Sequence, residues 1–218
     1  MRCETIAAVA EETVDEWDEL ASSWDTDAGP RTYAAAAFAS LVGLLDGDGP
    51  PLAGARVLDF GCGTGLLTEH LLEAGATVVA VDTSAGMLEV LDAKVARLGW
   101  RGVSTSTVLP GPSIRFDLVV CSSVFSFLDD HPTAVAELAS RLAPGGRLVQ
   151  WDWERADDDD HGLTRAEIGD ALTGAGLTAV EVRPAFTIEV DGQSMTPLLG
   201  HGRARGRPRD GSRRDSPR

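Results

Sequence analysis

The chain has 218 residues, 43% of them hydrophobic, with a formal charge of −15. That length can bury a core without disulfides or metals, and no apolar run approaches the ~18 residues that span a bilayer. The charge is uneven: residues 203–218 hold seven arginines against Asp210 and Asp215, so the remainder carries −20, a field that opposes nucleic acid phosphates.

The opening "MRCETIAAVAEETVDEW" has acids where a secretory leader needs basic and apolar regions, so the cytoplasm is the expected location. Cys3, Cys62 and Cys121 show no pairing or metal spacing and read as free thiols. Helical stripes come first, Trp17–Leu20–Trp24 and then Ala34–Phe38–Leu41–Leu45, before "GDGPPLAG" breaks the chain. "ARVLDF" is a buried strand, and the helix "LLTEHLLEAG" stops at Gly75. "TVVAVD" is a second strand, followed by a helix striped with Leu88, Leu91, Val95 and Leu98. A weak strand near "VSTSTV" precedes a strong one, "RFDLVVCSS". The next helix opens at "DDHP" and stops at "APGG", and "RLVQWDW" is the fifth strand. Thr164 and Glu167 have capping-box spacing for a helix through Leu172. "TAVEVRPAFTIEV" and "TPLLGHGRA" close the pattern as two consecutive strands, expected to pair antiparallel.

This alternation predicts an α/β fold with a doubly wound, mostly parallel sheet, whose ligands bind beyond the carboxyl ends of the strands. The expected organisation is an N-terminal helical cap or lid (1–50), a cofactor-binding core (51–205) and a disordered Arg-rich tail (206–218).

One such strand end carries "VLDFGCGTGLL". Gly61, Gly63 and Gly65 let the backbone take positive φ and approach a ligand closely. A dinucleotide fingerprint would place its third glycine at position 66, which is Leu here, and Asp59 ahead of the loop would repel a pyrophosphate while suiting an ammonium group.

"VLDFGCGTG" resembles the first motif of the class I S-adenosylmethionine-dependent methyltransferases. "VVAVDTSAGML", "FDLVVCSSVFSFL" and "RLAPGGRLV" are similar to their later motifs, in order, so that the resemblance covers about Trp24 to Arg203. It implies a Rossmann-like, seven-stranded sheet with an antiparallel last strand, S-adenosylmethionine as cofactor and no metal. It also implies that Gly61, Cys62, Gly63 and Gly65 lie along the methionine moiety, with Asp59 attracting its ammonium. Asp82 would accept the ribose hydroxyls beside Thr83, Met87 and Leu88 would floor the adenine, and Ser122 would line the methionine end. Asp82 also reads as a helix cap, and Asp59 as a structural acid bonding loop amides. The acid the family often carries after its third strand is missing from "VSTSTVLPGPSIRFD", which leaves adenine recognition to backbone groups or to Ser104, Thr105 or Ser106.

Methyl transfer is an in-line displacement that requires positioning more than a protein nucleophile. The acceptor pocket is expected among Trp24, Tyr33, Phe125, Phe127, Trp151 and Trp153, with Tyr33 on a helix that could lid the site. Arg31 is a candidate partner for the cofactor carboxylate, and Tyr33, His131 and Asp152 are the candidates for catalysis. His70, His161 and His201 show no ligand spacing, and the acids of "ERADDDDH" read as a solvated loop. "CSSVF" after the fourth strand is not the Asn-Pro-Pro-Tyr pattern of amide and adenine methylation, so a small-molecule acceptor is expected. An NAD(P)-dependent oxidoreductase and a non-catalytic cofactor-binding regulator are the competing readings.

Overall fold

A computed structural model describes residues 11–47, 49–155, 162–190 and 192–206; the tail at 207–218 and residues 156–161 of the acidic run lie outside the described residues. Its centre is β1 (Arg56–Phe60), buried at every position after Arg56. Strands β2 (Thr77–Val81) and β4 (Phe116–Ser122) flank it in parallel, with β3 (Val103–Ser106) outside β2 and β5 (Leu142–Asp152) outside β4. The strand β9 (Leu198–Arg203) then runs antiparallel between β5 and β6 (Thr178–Pro184). The sheet thus has seven strands in the order β3-β2-β1-β4-β5-β9-β6, and strand order reverses between β1 and β4.

The continuous apolar character of the inner strands follows from burial on both faces. One face packs on α2 (Ala28–Leu45), α3 (Leu66–Glu73) and α4 (Ala85–Leu98), through Leu41, Leu71 and Leu91. The other packs on α5 (His131–Ser140) and α6 (Arg165–Gly174), through Val135, Leu138, Ile168 and Leu172. The expected starts hold: Asp130 Oδ1 accepts from Thr133 N at 3.0 Å, and Thr164 and Glu167 form the complete capping box.

Two predicted boundaries change. The strand expected to run to Val190 ends at Pro184, and β7 (Ile188–Val190) pairs with β8 (Gln193–Met195) in a separate hairpin. Proline supplies no N–H to continue a ladder, and the "DG" at 191–192 is a strong two-residue turn signal, with Gly192 at φ +77°. The "APGG" stretch, expected as a helix stop, lies inside β5, where Gly145 (φ +83°) accompanies a register shift against β4.

The helix α1 (Glu11–Trp24) is attached differently from the others. Among its described side chains only Ala21 is buried, and Leu20, expected on the inner stripe, is 45% exposed. Trp17 and Trp24 are half-buried, and polar contacts join them in fixing its position. Asp18 Oδ1 accepts from Ser84 Oγ at 2.5 Å and from Gly86 N at 2.9 Å, seating α1 on the first turn of α4. Its neighbour in the following turn, Asp25, accepts from Thr64 Oγ1 at 2.6 Å and pairs with Lys94, whose Nζ also donates to Thr64 O at 3.0 Å. Lys94 occupies the inward place on α4 that the stripe assigned in part to Leu98, which is 46% exposed.

This pair gives a stability test. Lys94→Met should cost about 2–3 kcal/mol in urea unfolding, below the ~3–5 kcal/mol of a fully buried pair because the Asp25 side chain keeps 17% exposure. The double variant Lys94→Met/Asp25→Asn should recover part of that loss, because it no longer leaves a carboxylate without its cation.

Candidate active site

The reversal between β1 and β4 opens a cavity of about 540 Å³ above the carboxyl ends of the strands. Its floor is the glycine loop, and the loop is pinned to β2. Gly61 N and Cys62 N both donate to Val81 O, at 2.7 and 3.0 Å, and Gly63 N donates to Asp82 Oδ2 at 2.7 Å. All three glycines have positive φ, yet they serve different ends. A Cβ on Gly61 would overlap Val124, and one on Gly65 would overlap Leu91, so both are demanded by packing within the protein. Over Gly63 a Cβ would meet only Met87 Sδ, at 4.0 Å. Gly63 is the glycine that faces open space.

Carboxylates stand on either side of it. Asp59, only 1% exposed, lines the cavity and accepts from Thr68 Oγ1 at 2.5 Å. Burial pushes its pKa up to about 7 against the opposing effect of the Thr68 hydroxyl, and Asp82 adds to the rise. Asp82 accepts from Gly63 N through one oxygen and from Ser84 N, at 2.9 Å, through the other. Burial likewise raises its pKa against those bonds. The helix-start function and the cavity-facing position are thus held by the same side chain, since Asp82 and Thr83 both line the cavity.

Of the other expected cofactor residues, Cys62, Met87 and Ser122 line the cavity, whereas Gly65 and Arg31 do not. Arg31 is exposed, with Nε donating to Asp25 O, because its place on α2 turns it from the side that carries Tyr33 and Ala34. Leu88 is turned into the core beneath α4. Ser104, Thr105 and Ser106 stay outside the lining, and the wall beyond β3 is built from Thr107, Val108 and Leu109.

Aromatic side chains close the far end. Trp24, Tyr33, Phe127 and Trp153 line it as expected, joined by Trp17, while Phe125 and Trp151 belong to the core. Tyr33 lies 5.3 Å from both Trp153 and Phe186, ring centre to ring centre, and its hydroxyl accepts from Ser123 Oγ at 2.9 Å. Burial raises the Tyr33 pKa well above the ordinary phenol value. Ser123 holds φ +57°, a conformation that costs energy in a residue with a side chain and that is concentrated at functional sites.

The remaining catalytic candidates lie elsewhere. His131 opens α5 and faces a second cleft, between α5 and α6, beside Phe125. Asp152 is wholly buried at the end of β5, accepting from Gln150 Nε2 at 3.0 Å and Ser126 N at 3.4 Å, and burial pushes its pKa up to about 7. It supports the Ser126 segment from below and is no part of the cavity wall. Residues that the sequence reading missed include Asp18, Asp25, Thr68, Ser123 and the hairpin residues Ile188 and Met195, of which the last three line the cavity. No cluster of potential metal ligands occurs among the described residues, and no described helix is long and apolar enough to cross a membrane.

Comparison with known proteins agrees with this geometry. Residues 58–148 match the family described as a methyltransferase domain. The chain is 33% identical over 171 residues to the trans-aconitate 2-methyltransferase of Azoarcus sp., a match that takes in 75% of this chain and 64% of that protein. It is 37% identical over 107 residues to the ubiquinone biosynthesis O-methyltransferase of Xylella fastidiosa, covering 45% and 42%. The chain therefore spans less than two thirds of these relatives' lengths. Among solved structures, the N-methyltransferase NodS of Bradyrhizobium japonicum, determined with S-adenosylhomocysteine, superposes with a TM-score of 0.67 at 21% identity over 90% of this chain and 99% of that one.

The loop's division of labour is testable with two variants. Gly63→Val should fold but lose S-adenosylhomocysteine binding in calorimetry, because its side chain enters the cavity. Gly65→Ala should instead lower unfolding free energy by about 2–3 kcal/mol, through overlap with Leu91 at a left-handed position.

Proposed function

We propose that this member of the class I S-adenosylmethionine-dependent methyltransferases transfers a methyl group to a small-molecule acceptor held at the aromatic end of the cavity. The observation that carries the reading is Gly63: a left-handed backbone with open space above it, between two cavity-lining carboxylates. These residues fit the cofactor's parts. The Gly63 backbone gives close approach for its methionine chain, and Asp59 would face its ammonium, directly or through water. Each Asp82 oxygen accepts one backbone N–H and retains capacity for one ribose hydroxyl. Met87 and Val108 supply adaptable apolar surface for a base.

When bound, the cofactor supplies an electrophilic methyl group on a cationic sulfur with a neutral leaving group. The chain's own contribution is orientation: Ser122, Ser123 and Tyr33 offer neutral hydrogen-bonding groups, and the surrounding rings restrict the acceptor and exclude water. Placing nucleophile and methyl in line accounts for catalysis without a protein nucleophile. The helices of residues 11–45 act as a lid, since Trp17, Trp24 and Tyr33 complete the wall and Asp18 and Asp25 tie the segment to the loops. The acidic body favours a small molecule over nucleic acid. The buried thiols Cys62 and Cys121 suit the cytoplasm. A dinucleotide is disfavoured because α3 begins with Leu66 where that fingerprint needs glycine.

Binding of S-adenosylhomocysteine without binding of NADH, and then methyl transfer to members of a small-molecule panel, is the expected result; NADH binding alone overturns the reading. Proton exchange adds a second check. A raised carboxyl pKa means Asp59 is largely protonated below about pH 7, and a bound ammonium favours the ionised form. Calorimetry near pH 6 in buffers of different ionisation enthalpy should therefore show proton release on binding. Affinity should improve as pH rises toward 7, and Asp59→Asn should remove both effects.

A further inference from the structure

The charges of the cavity wall narrow the acceptor, given the methyltransferase reading above. Among the described lining residues the formally charged ones are Asp59, Asp82 and Arg141. Both acids stand on the glycine-loop side. The cation of this set is engaged through its terminal nitrogens, on the Pro110 side: Arg141 donates through Nη1 to Pro110 O at 2.5 Å and through Nη2 to Glu137 Oε1 at 2.6 Å, while its buried Nε has no hydrogen-bond partner among the described residues. No lysine or histidine is found among the described lining residues. The side-chain groups near the aromatic end that can hydrogen-bond are neutral: the hydroxyls of Ser122, Ser123 and Tyr33 and the indole N–H groups of Trp17, Trp24 and Trp153.

The rest of that end is ring surface. Trp17 meets Trp24 and Phe127 edge to face at 5.6 and 5.5 Å, and Tyr33 tilts against Trp153 at 5.3 Å. Flat apolar molecules gain most from such walls, through burial and ring contacts. A carboxylate or phosphate there would lose its water without gaining a cation from the described protein lining. It would also approach against the −20 of the body.

We propose that the acceptor is a planar, largely apolar molecule that carries no anionic group and has one or two hydroxyl-type groups, and that polycarboxylates are rejected. This separates the chain from the relative named for trans-aconitate, a polyanion, with which it shares 33% identity.

The test uses the full chain loaded with S-adenosylhomocysteine, whose binding is first measured alone by calorimetry. Failure at that step counts against the cofactor reading and is distinguishable from a failure of the acceptor inference. Quenching of the cavity tryptophans is then titrated with 2-naphthol and 2-naphthoate, which share one ring system and differ in charge. Naphthol should bind at least about tenfold more tightly than naphthoate, because the anion is desolvated without a partner. Phe127→Arg, at a lining position 38% exposed, should reverse the order between naphthol and naphthoate. Equal or tighter binding of naphthoate to the unaltered chain overturns the inference, and so does an absence of ring binding to the loaded protein.

Discussion

The hydrogen bond from Gly63 N to Asp82 Oδ2, together with the two amides that Val81 O accepts, fixes the ends of β1 and β2 to one another. Everything else at the site is built on that join. It sets the glycine loop at left-handed φ, starts α3 at Gly65 and lets Asp82 begin the turn into α4. It also leaves Gly63 uncovered while its two sister glycines are consumed by contacts with Val124 and Leu91. A loop repeating one residue type therefore divides its work: two positions make the fold possible, and the third makes a ligand possible.

The second organising fact is how much negative charge lies close to this join. Asp59, Asp82 and the more distant Asp152 are all pushed toward their neutral forms, by burial above all. Such groups cost stability in proportion to their ionisation, so the fold gains least from them where they are charged and most where they carry a proton or a bound cation. Asp152 is satisfied within the protein by Gln150 and Ser126, which makes it a strut under the β4–α5 connection. Asp59 has one hydroxyl partner and a face on the cavity, which leaves its demand for a counter-charge unmet by the described residues.

Much of this was legible in the residues. Strands buried on both faces announce themselves as apolar runs, and the glycines, Asp59 and Asp82 fell at the end of the right strands. The Thr164–Glu167 box appeared where its spacing put it. What escaped was information that lives between distant segments. Asp18 and Asp25 look like ordinary exposed helix acids until α1 meets α4, 66 residues away in the case of the Asp18–Ser84 bond. Lys94 carried a readable signal, a cation three places after Leu91 on an inward face, which requires an acid from elsewhere. Arg31 and His131 were plausible by residue type alone, and the rotation of their helices placed one in solvent and the other in a different cleft. The hairpin Ile188–Met195 was hidden because a strand-like composition ran through Pro184, whose missing N–H mattered more than the β-branched residues around it.

The shallow seat of α1 has a further consequence, in the hierarchy of unfolding. A helix whose described side chains fully bury only Ala21, with Trp17 and Trp24 half-buried, can leave the body without opening either hydrophobic layer. Its departure exposes few apolar atoms, so the free energy of that step lies well below that of global denaturation and depends weakly on denaturant. The sheet and the helices α2 to α6 pack into the two buried layers, and α1 lies outside them, joined through the turn that holds Asp25. Part of the roof of the cavity can thereby open at a lower free-energy cost than its floor.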